Sequence, residues 1–220
     1  MEAIVRFLPQ LLEASWITVQ ITALGILLSV FMGFLAGLAC LVEFWPVRAV
    51  ARAYVEVFRG TSALVQLFWM YFVLPHFGIS LSPYDVGWLA LGLNVGAYGA
   101  EVVRGAILAV PKGQYEAATA LNMPKWTAMR RIIVPQALPS TIPPWGNLFI
   151  ELMKATSLVS LITLTDLTFR AKQLNDQTFM TLEIFGIALL IYLVIALVIT
   201  AVMRGIERYT GRGLARGGVR

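Results

Sequence analysis

The chain has 220 residues, of which 59% are hydrophobic and only 13% charged. An ordinary soluble domain carries about a quarter charged residues, so that class is excluded. The net charge of +5 fits the positive-inside bias of a membrane protein better than a nucleic-acid footprint.

Mean hydropathy is +0.78, and apolar runs of about twenty residues point to a polytopic all-α membrane protein. It forms one domain, because its spans must pack on each other. Cys40 is the only cysteine and His76 the only histidine, which rules out an internal disulfide framework and a Cys/His metal cluster. Carboxylates do not cluster either. A membrane-embedded enzyme therefore lacks its usual general-base and metal sets, and no catalytic, cofactor or metal residue is assigned.

Residues 1–15 are mildly amphipathic, with Leu8, Leu11 and Leu12 on one side, and predict an interfacial lead-in without a cleavable signal. The first span is predicted over 16–42, between the aromatic anchors Trp16 and Trp45. Gly33 and Gly37 within it permit close helix approach. A basic loop is predicted over 44–60, with Pro46, Arg48, Arg52 and Arg59. The second span, 62–74, is short and predicts borrowing from 54–58 or continuation into Phe77. The next loop, 75–83, lacks Lys and Arg.

The third span, 86–108, carries Gly87, Gly92, Gly96 and Gly99 around Asn94 and predicts a tightly packed inner helix. Segment 111–139 follows as the longest polar interruption. A fourth span is predicted from about Ile142, with Pro143 and Pro144 in its first turn, to about Leu164. A polar loop over 166–181 and a fifth span over 182–203 complete the transmembrane domain, 16–204. The tail, 205–220, is basic and predicts a surface anchor on anionic lipid.

Thirteen of the 17 Lys and Arg fall on the side of the first loop, segment 111–139 and the tail. Three fall opposite, and Lys154 lies within a span. Five spans with the N-terminus outside and the C-terminus inside follow, and segment 111–139 is cytoplasmic.

Within that segment, 113–121 is a good helix former, with Ala117, Ala118, Ala120 and Leu121 on one side. Asn122 suits the left-handed residue that ends a helix. Pro124 opens a second helix in which Trp126, Met129, Ile132 and Ile133 recur at helical spacing, and Pro135 and Pro139 are expected to close it. The result is two short helices around a sharp turn. On structure alone, this is a surface hairpin connecting two spans.

The residues themselves resemble the EAA loop of ATP-binding-cassette importer permeases: Glu116-Ala117-Ala118, then Asn122, then Ile132-x-Val134-Pro135. Asn122 stands where that family has Gly, and Val134 where it has Leu; Asn is the usual second choice for the turn. Glu56-x-Phe58-Arg59-Gly60-Thr61, Ala97-Tyr98-x-x-Glu101-x-x-Arg104-Gly105, Pro135-Gln136-Ala137-Leu138 and Lys154-Ala155-Thr156-Ser157-Leu158-Val159-Ser160 resemble its polar amino acid uptake branch. The last of these, with Pro143-Pro144-Trp145-Gly146-Asn147, is also similar to permeases for the compatible solute ectoine.

The resemblance implies a type I importer permease of the bacterial inner membrane. Its implied partners are two ATPase subunits, a second permease chain that is either identical or a sister, and an extracytoplasmic solute-binding protein. Glu116, Ala117, Ala118, Asn122 and Pro135 would form the ATPase-coupling element, with Glu116 the polar contact. The chain has no G-x-x-x-x-G-K-[ST], so ATP belongs to the partner.

The candidate solute pathway or gate comprises Asn94, Glu151, Lys154, Thr156 and Ser157. Counted from Pro143, Lys154 lies about 16 Å along its helix, near mid-bilayer. The alternatives are an ion pair between Glu151 and Lys154 that only specifies packing, and hydroxyls bonded back to their own helix. A passive channel or pore subunit is the competing function.

Overall fold

The computed structural model describes residues 2–211, and among them every regular element is helical. The α-helices are α1 (Glu2–Ala39), α2 (Trp45–Gly60), α3 (Ala63–Phe68), α4 (Pro83–Leu108), α5 (Lys112–Ala120), α6 (Lys125–Ala128), α7 (Val134–Ala155), α8 (Leu167–Thr178) and α9 (Thr181–Gly211). In α1, α4 and α9 the chain is long and apolar enough to cross a membrane. Two bent pairs, Trp45–Gly60 with Ala63–Phe77 and Lys125–Ile162 with Leu167–Thr178, bring the count to five if each is one span. The tail residues Arg212, Arg216 and Arg220 lie outside the described residues.

Four expected boundaries are corrected. The basic loop expected over 44–60 is helix α2. Its charges at Arg48, Arg52, Glu56 and Arg59 follow one helical stripe, while Ala51 and Val55 are buried on another. The polar loop expected over 166–181 contains α8, which buries Leu167, Ala171 and Leu174 and is capped by the Asp166 carboxylate on the Thr168 and Phe169 amides.

Pro135 and Pro139 do not close a helix, and Pro143 and Pro144 do not open one. The helix runs from Lys125 to Ile162, through a wide π turn at Met129–Ile133 and a 3₁₀ ending at Thr156–Ile162. The first span has no break before Trp16, since α1 already runs from Glu2. Phe7 and Leu11 are buried in a cluster with α8 and α9.

Helices α1, α4 and α7 converge on Trp145, which is buried and stacks on Phe34 with ring centroids 6.2 Å apart. The indole edge fills the space left by two glycines. A Cβ on Gly33 would stand 2.6 Å from it, and one on Gly99 only 2.2 Å. This close approach is the physical content of the glycine spacing in α1 and α4.

Between α2 and α3 the axis turns by 105°. Such an elbow frees carbonyls, and two side chains take them up. The Asn94 amide donates to the Phe58 carbonyl (2.8 Å) and to Gln66 Oε1 (3.2 Å), and Gln66 Nε2 donates to the Phe58 carbonyl (2.9 Å) and to Thr61 Oγ1 (2.7 Å). Tyr54 fastens α2 to α4 through its bond to the Leu93 carbonyl (2.7 Å). Asn94→Leu keeps the number of side-chain heavy atoms and removes the donor. The Phe58 carbonyl keeps Gln66 as a donor, so the expected cost is about 1–2 kcal/mol, the net loss of the two hydrogen bonds that Asn94 donates. A thermal midpoint in detergent equal to wild type would show that the elbow does not depend on Asn94.

Candidate coupling loop and transport face

Helix α5 stands out from the body. Of its residues only Ala118 is buried, while Glu116 and Ala117 are exposed. The helix ends because Asn122 takes φ 53°, and the Asn122 and Met123 amides bond back to the Thr119 and Ala118 carbonyls at 2.9 and 3.0 Å. Pro124 then leads into α6. Leu121 and Trp126, on either side of the turn, are each 74% exposed. Glu116, Ala117, Leu121 and Trp126 therefore offer one carboxylate and apolar surface, and Ala118 faces the chain's own body.

Three ties hold this loop. The Tyr115 hydroxyl donates to the Ile107 carbonyl at the end of α4 (3.0 Å), and Gln136 Nε2 on α7 donates to Gln114 Oε1 (3.2 Å). Lys125 pairs with Glu43, beyond the end of α1. Hydrogen bonding from the Lys125 ammonium holds the Glu43 carboxyl below its usual range. Pro135 lies in the first turn of α7, next to the buried Ile133.

Beyond Pro135, α7 divides into two faces. Ala137, Thr141, Trp145, Phe149 and Leu152 are buried. Gln136, Ser140, Pro143, Asn147, Glu151 and Lys154 are exposed at spacings of three and four, which is one stripe of a helix. Glu151 and Lys154 share that stripe, and neither pairs with another side chain among the described residues. The packing ion pair between them is not formed.

Of the remaining candidates, Asn94 is buried at the elbow. Thr156 is fully buried with its hydroxyl on the Met153 carbonyl (2.6 Å), and Ser157 bonds back to the Lys154 carbonyl (2.9 Å). The structure thus brings Glu151 and Lys154 together on an open face and turns Asn94 and Thr156 inward.

Sequence reasoning did not single out Leu121, Trp126 or Tyr115. Leu121 and Trp126 entered only as members of apolar helix sides. Their position at a left-handed Asn was the available signal, since a short turn leaves its flanking side chains no body to pack against.

The family model for the binding-protein-dependent transport system inner membrane component matches residues 25–214. This chain belongs to that family. It is an inner-membrane transport component and depends on a binding protein. Among curated relatives, the probable amino-acid ABC transporter permease protein y4tF of Sinorhizobium fredii is 46% identical, over 91% of this chain and 87% of its own length. The glutamine transport permease GlnP of Escherichia coli is 36% identical, over 91% of this chain and 93% of its own. The L-cystine permease TcyB of Bacillus subtilis is also 36% identical, over 96% and 90%. An amino acid ABC transporter crystallised with histidines superposes with a TM-score of 0.86 at 36% identity, covering 94% of this chain and 96% of that one.

Proposed function

We propose that this chain is one of two permease halves of an ATP-driven importer for polar amino acids or an amino-acid-like zwitterion such as ectoine. The observation that carries the coupling role is the protruding α5 turn. It presents Glu116 and Ala117, with Leu121 and Trp126 beside them, to a groove on a partner ATPase. Asn122 sets the turn, and Pro135 leads the same segment into α7. ATP-driven closure of the paired ATPases would move α5 as a rigid body and, through α4 and α7, reorient the spans in alternating access.

The exposed stripe of α7 supports the transport role. Charged groups in a span do not rest against lipid, so Glu151 and Lys154 face a water-filled route or the second permease chain. Three residues apart and free of partners, they offer a carboxylate to a solute ammonium and an ammonium to a solute carboxylate. Ser157 lies on the turn after Lys154, while Asn94 and Thr156 support the route from behind. The names of the relatives, which concern glutamine, L-cystine and amino acids in general, support the solute class.

The test is ATP hydrolysis by the complex of permease and ATPase in proteoliposomes, with its binding protein, against a panel of amino acids and ectoine. Stimulation by one or more zwitterions is expected. Stimulation by none of them, or solute flux without ATP as in a passive channel, would overturn the reading.

A further inference from the structure

The coupling loop meets the spans by two covalent routes, and neither fixes its angle. Behind α5, Ala109 and Val110 leave helix α4 and lead through Pro111. Ahead of it, the Leu121–Pro124 turn and the π turn at Met129–Ile133 intervene before α7. Helix α5 itself has nine residues and buries only Ala118 against the body. A short helix held only by this methyl group, the packed ring of Tyr115 and two irregular connections can swing when pushed, and a swinging lever transmits little of the displacement at its tip.

One contact removes that freedom on the α4 side. Tyr115 is half-buried, and its hydroxyl bonds the Ile107 carbonyl, one of the final carbonyls of α4, at 3.0 Å. It spans eight residues and closes the Val110–Pro111 connection into a ring, so α5 and the end of α4 move together. Tyr115 neighbours Glu116 in sequence but points inward, where Glu116 points out. The tie to α7 is weaker: Gln114 and Gln136 are both exposed, and their amides meet at 3.2 Å.

We propose that Tyr115 is a positioning residue for energy coupling, which holds α5 at a fixed angle to α4 so that displacement of the docked loop reaches the spans. This rests on the docking role of Glu116 given above. Tyr115 does not touch the ATPase or the solute; it acts through the angle of the helix that does.

The experiment compares Tyr115→Phe and Gln114→Met with wild type in the reconstituted complex with its binding protein, reading ATP hydrolysed per solute imported. Phenylalanine keeps the ring and loses only the hydrogen bond. The expected result is an unchanged amount of co-purifying ATPase and a rise of about threefold to tenfold in ATP per solute, the factor carried by one partly buried hydrogen bond. Gln114→Met is expected to raise the ratio less.

A wild-type ratio in Tyr115→Phe would overturn the proposal, as would loss of the ATPase from the complex, which would make Tyr115 a docking residue. A larger rise in Gln114→Met would move the role to the α7 tie. A merely structural defect would lower the amount of complex without changing the ratio. Glu116→Lys in the same assay separates the two readings. If it remains coupled, the docking role fails; if it is dead while Tyr115→Phe matches wild type, only the positioning role fails.

Discussion

Glu116→Lys is expected to leave the chain folded and inserted but to abolish ATP-coupled uptake. The carboxylate is exposed, and no partner within the described residues depends on it. Reversing a charge at such a site alters intrinsic stability by no more than about 0.5 kcal/mol. At a partner surface the same change acts differently. A buried, hydrogen-bonded interfacial charge that loses its complement costs about 2–5 kcal/mol, or roughly 30-fold to several thousand-fold in affinity. Lysine also adds repulsion against the group that would meet the carboxylate. The measurement is two-part: the amount of permease in purified membranes, expected to equal wild type, and the ATPase that co-purifies with it, expected to be lost together with uptake. Normal uptake would show that α5 does not dock through Glu116. Trp126→Ala tests the apolar part of the same surface and is expected to weaken ATPase retention less severely.

The sequence exposed those parts of the fold whose signal is apolar and continuous. Long hydrophobic runs placed α1, α4 and α9, and the charge bias assigned the coupling loop to one side. Asn122 was legible because a left-handed turn admits few residues, and here it has φ 53°. What escaped were helices that carry regularly spaced polar residues. Helix α2 is largely apolar, but its arginines and Pro46 gave it the look of a basic loop, and it buries only Ala51 and Val55. Helix α8 escaped because its apolar residues are few, and its cap, Asp166, is fully buried beside Leu167.

The prolines of α7 misled in the other direction. Pro135, Pro139 and Pro143 are four apart, so their missing N–H groups align on one side of the helix. That side is the exposed one at Pro135 and Pro143, where freed carbonyls can reach water or a partner, and the π turn before Pro135 admits its ring. A proline run at helical spacing therefore polarises the helix without ending it. The same spacing places Glu151 and Lys154 on the polarised face. Spacing alone could not tell that stripe from a packed one, because burial is set by the neighbours α7 happens to meet.

Gly99→Ala is the substitution expected to damage the fold most. The added methyl would stand 2.2 Å from Trp145 Cη2, 2.6 Å from Cζ2 and 2.9 Å from Cζ3, so it meets the whole indole edge. The ring has nowhere to retreat: Gly33 faces the same edge, Phe34 stacks on it and Phe149 lies at 5.5 Å between centroids. Overpacking a closed core costs about 1–3 kcal/mol and sometimes more, and a three-helix junction with backbone on two sides belongs at the upper end. Thermal unfolding in detergent should show a drop of about 6–12 °C at the two to four degrees per kcal/mol of a chain this size.

The compensating change is Trp145→Phe. It removes the benzo edge that carries the clashing atoms, and it sacrifices no hydrogen bond, since the buried indole N–H has no partner among the described residues. On its own it leaves a void and lowers stability. Combined with Gly99→Ala, the methyl enters that void, so the double variant is expected to be more stable than Gly99→Ala alone, with a coupling of about 1–3 kcal/mol. Strict additivity of the two losses would mean that Gly99 and Trp145 do not share this space, and that α1, α4 and α7 are held together by other contacts.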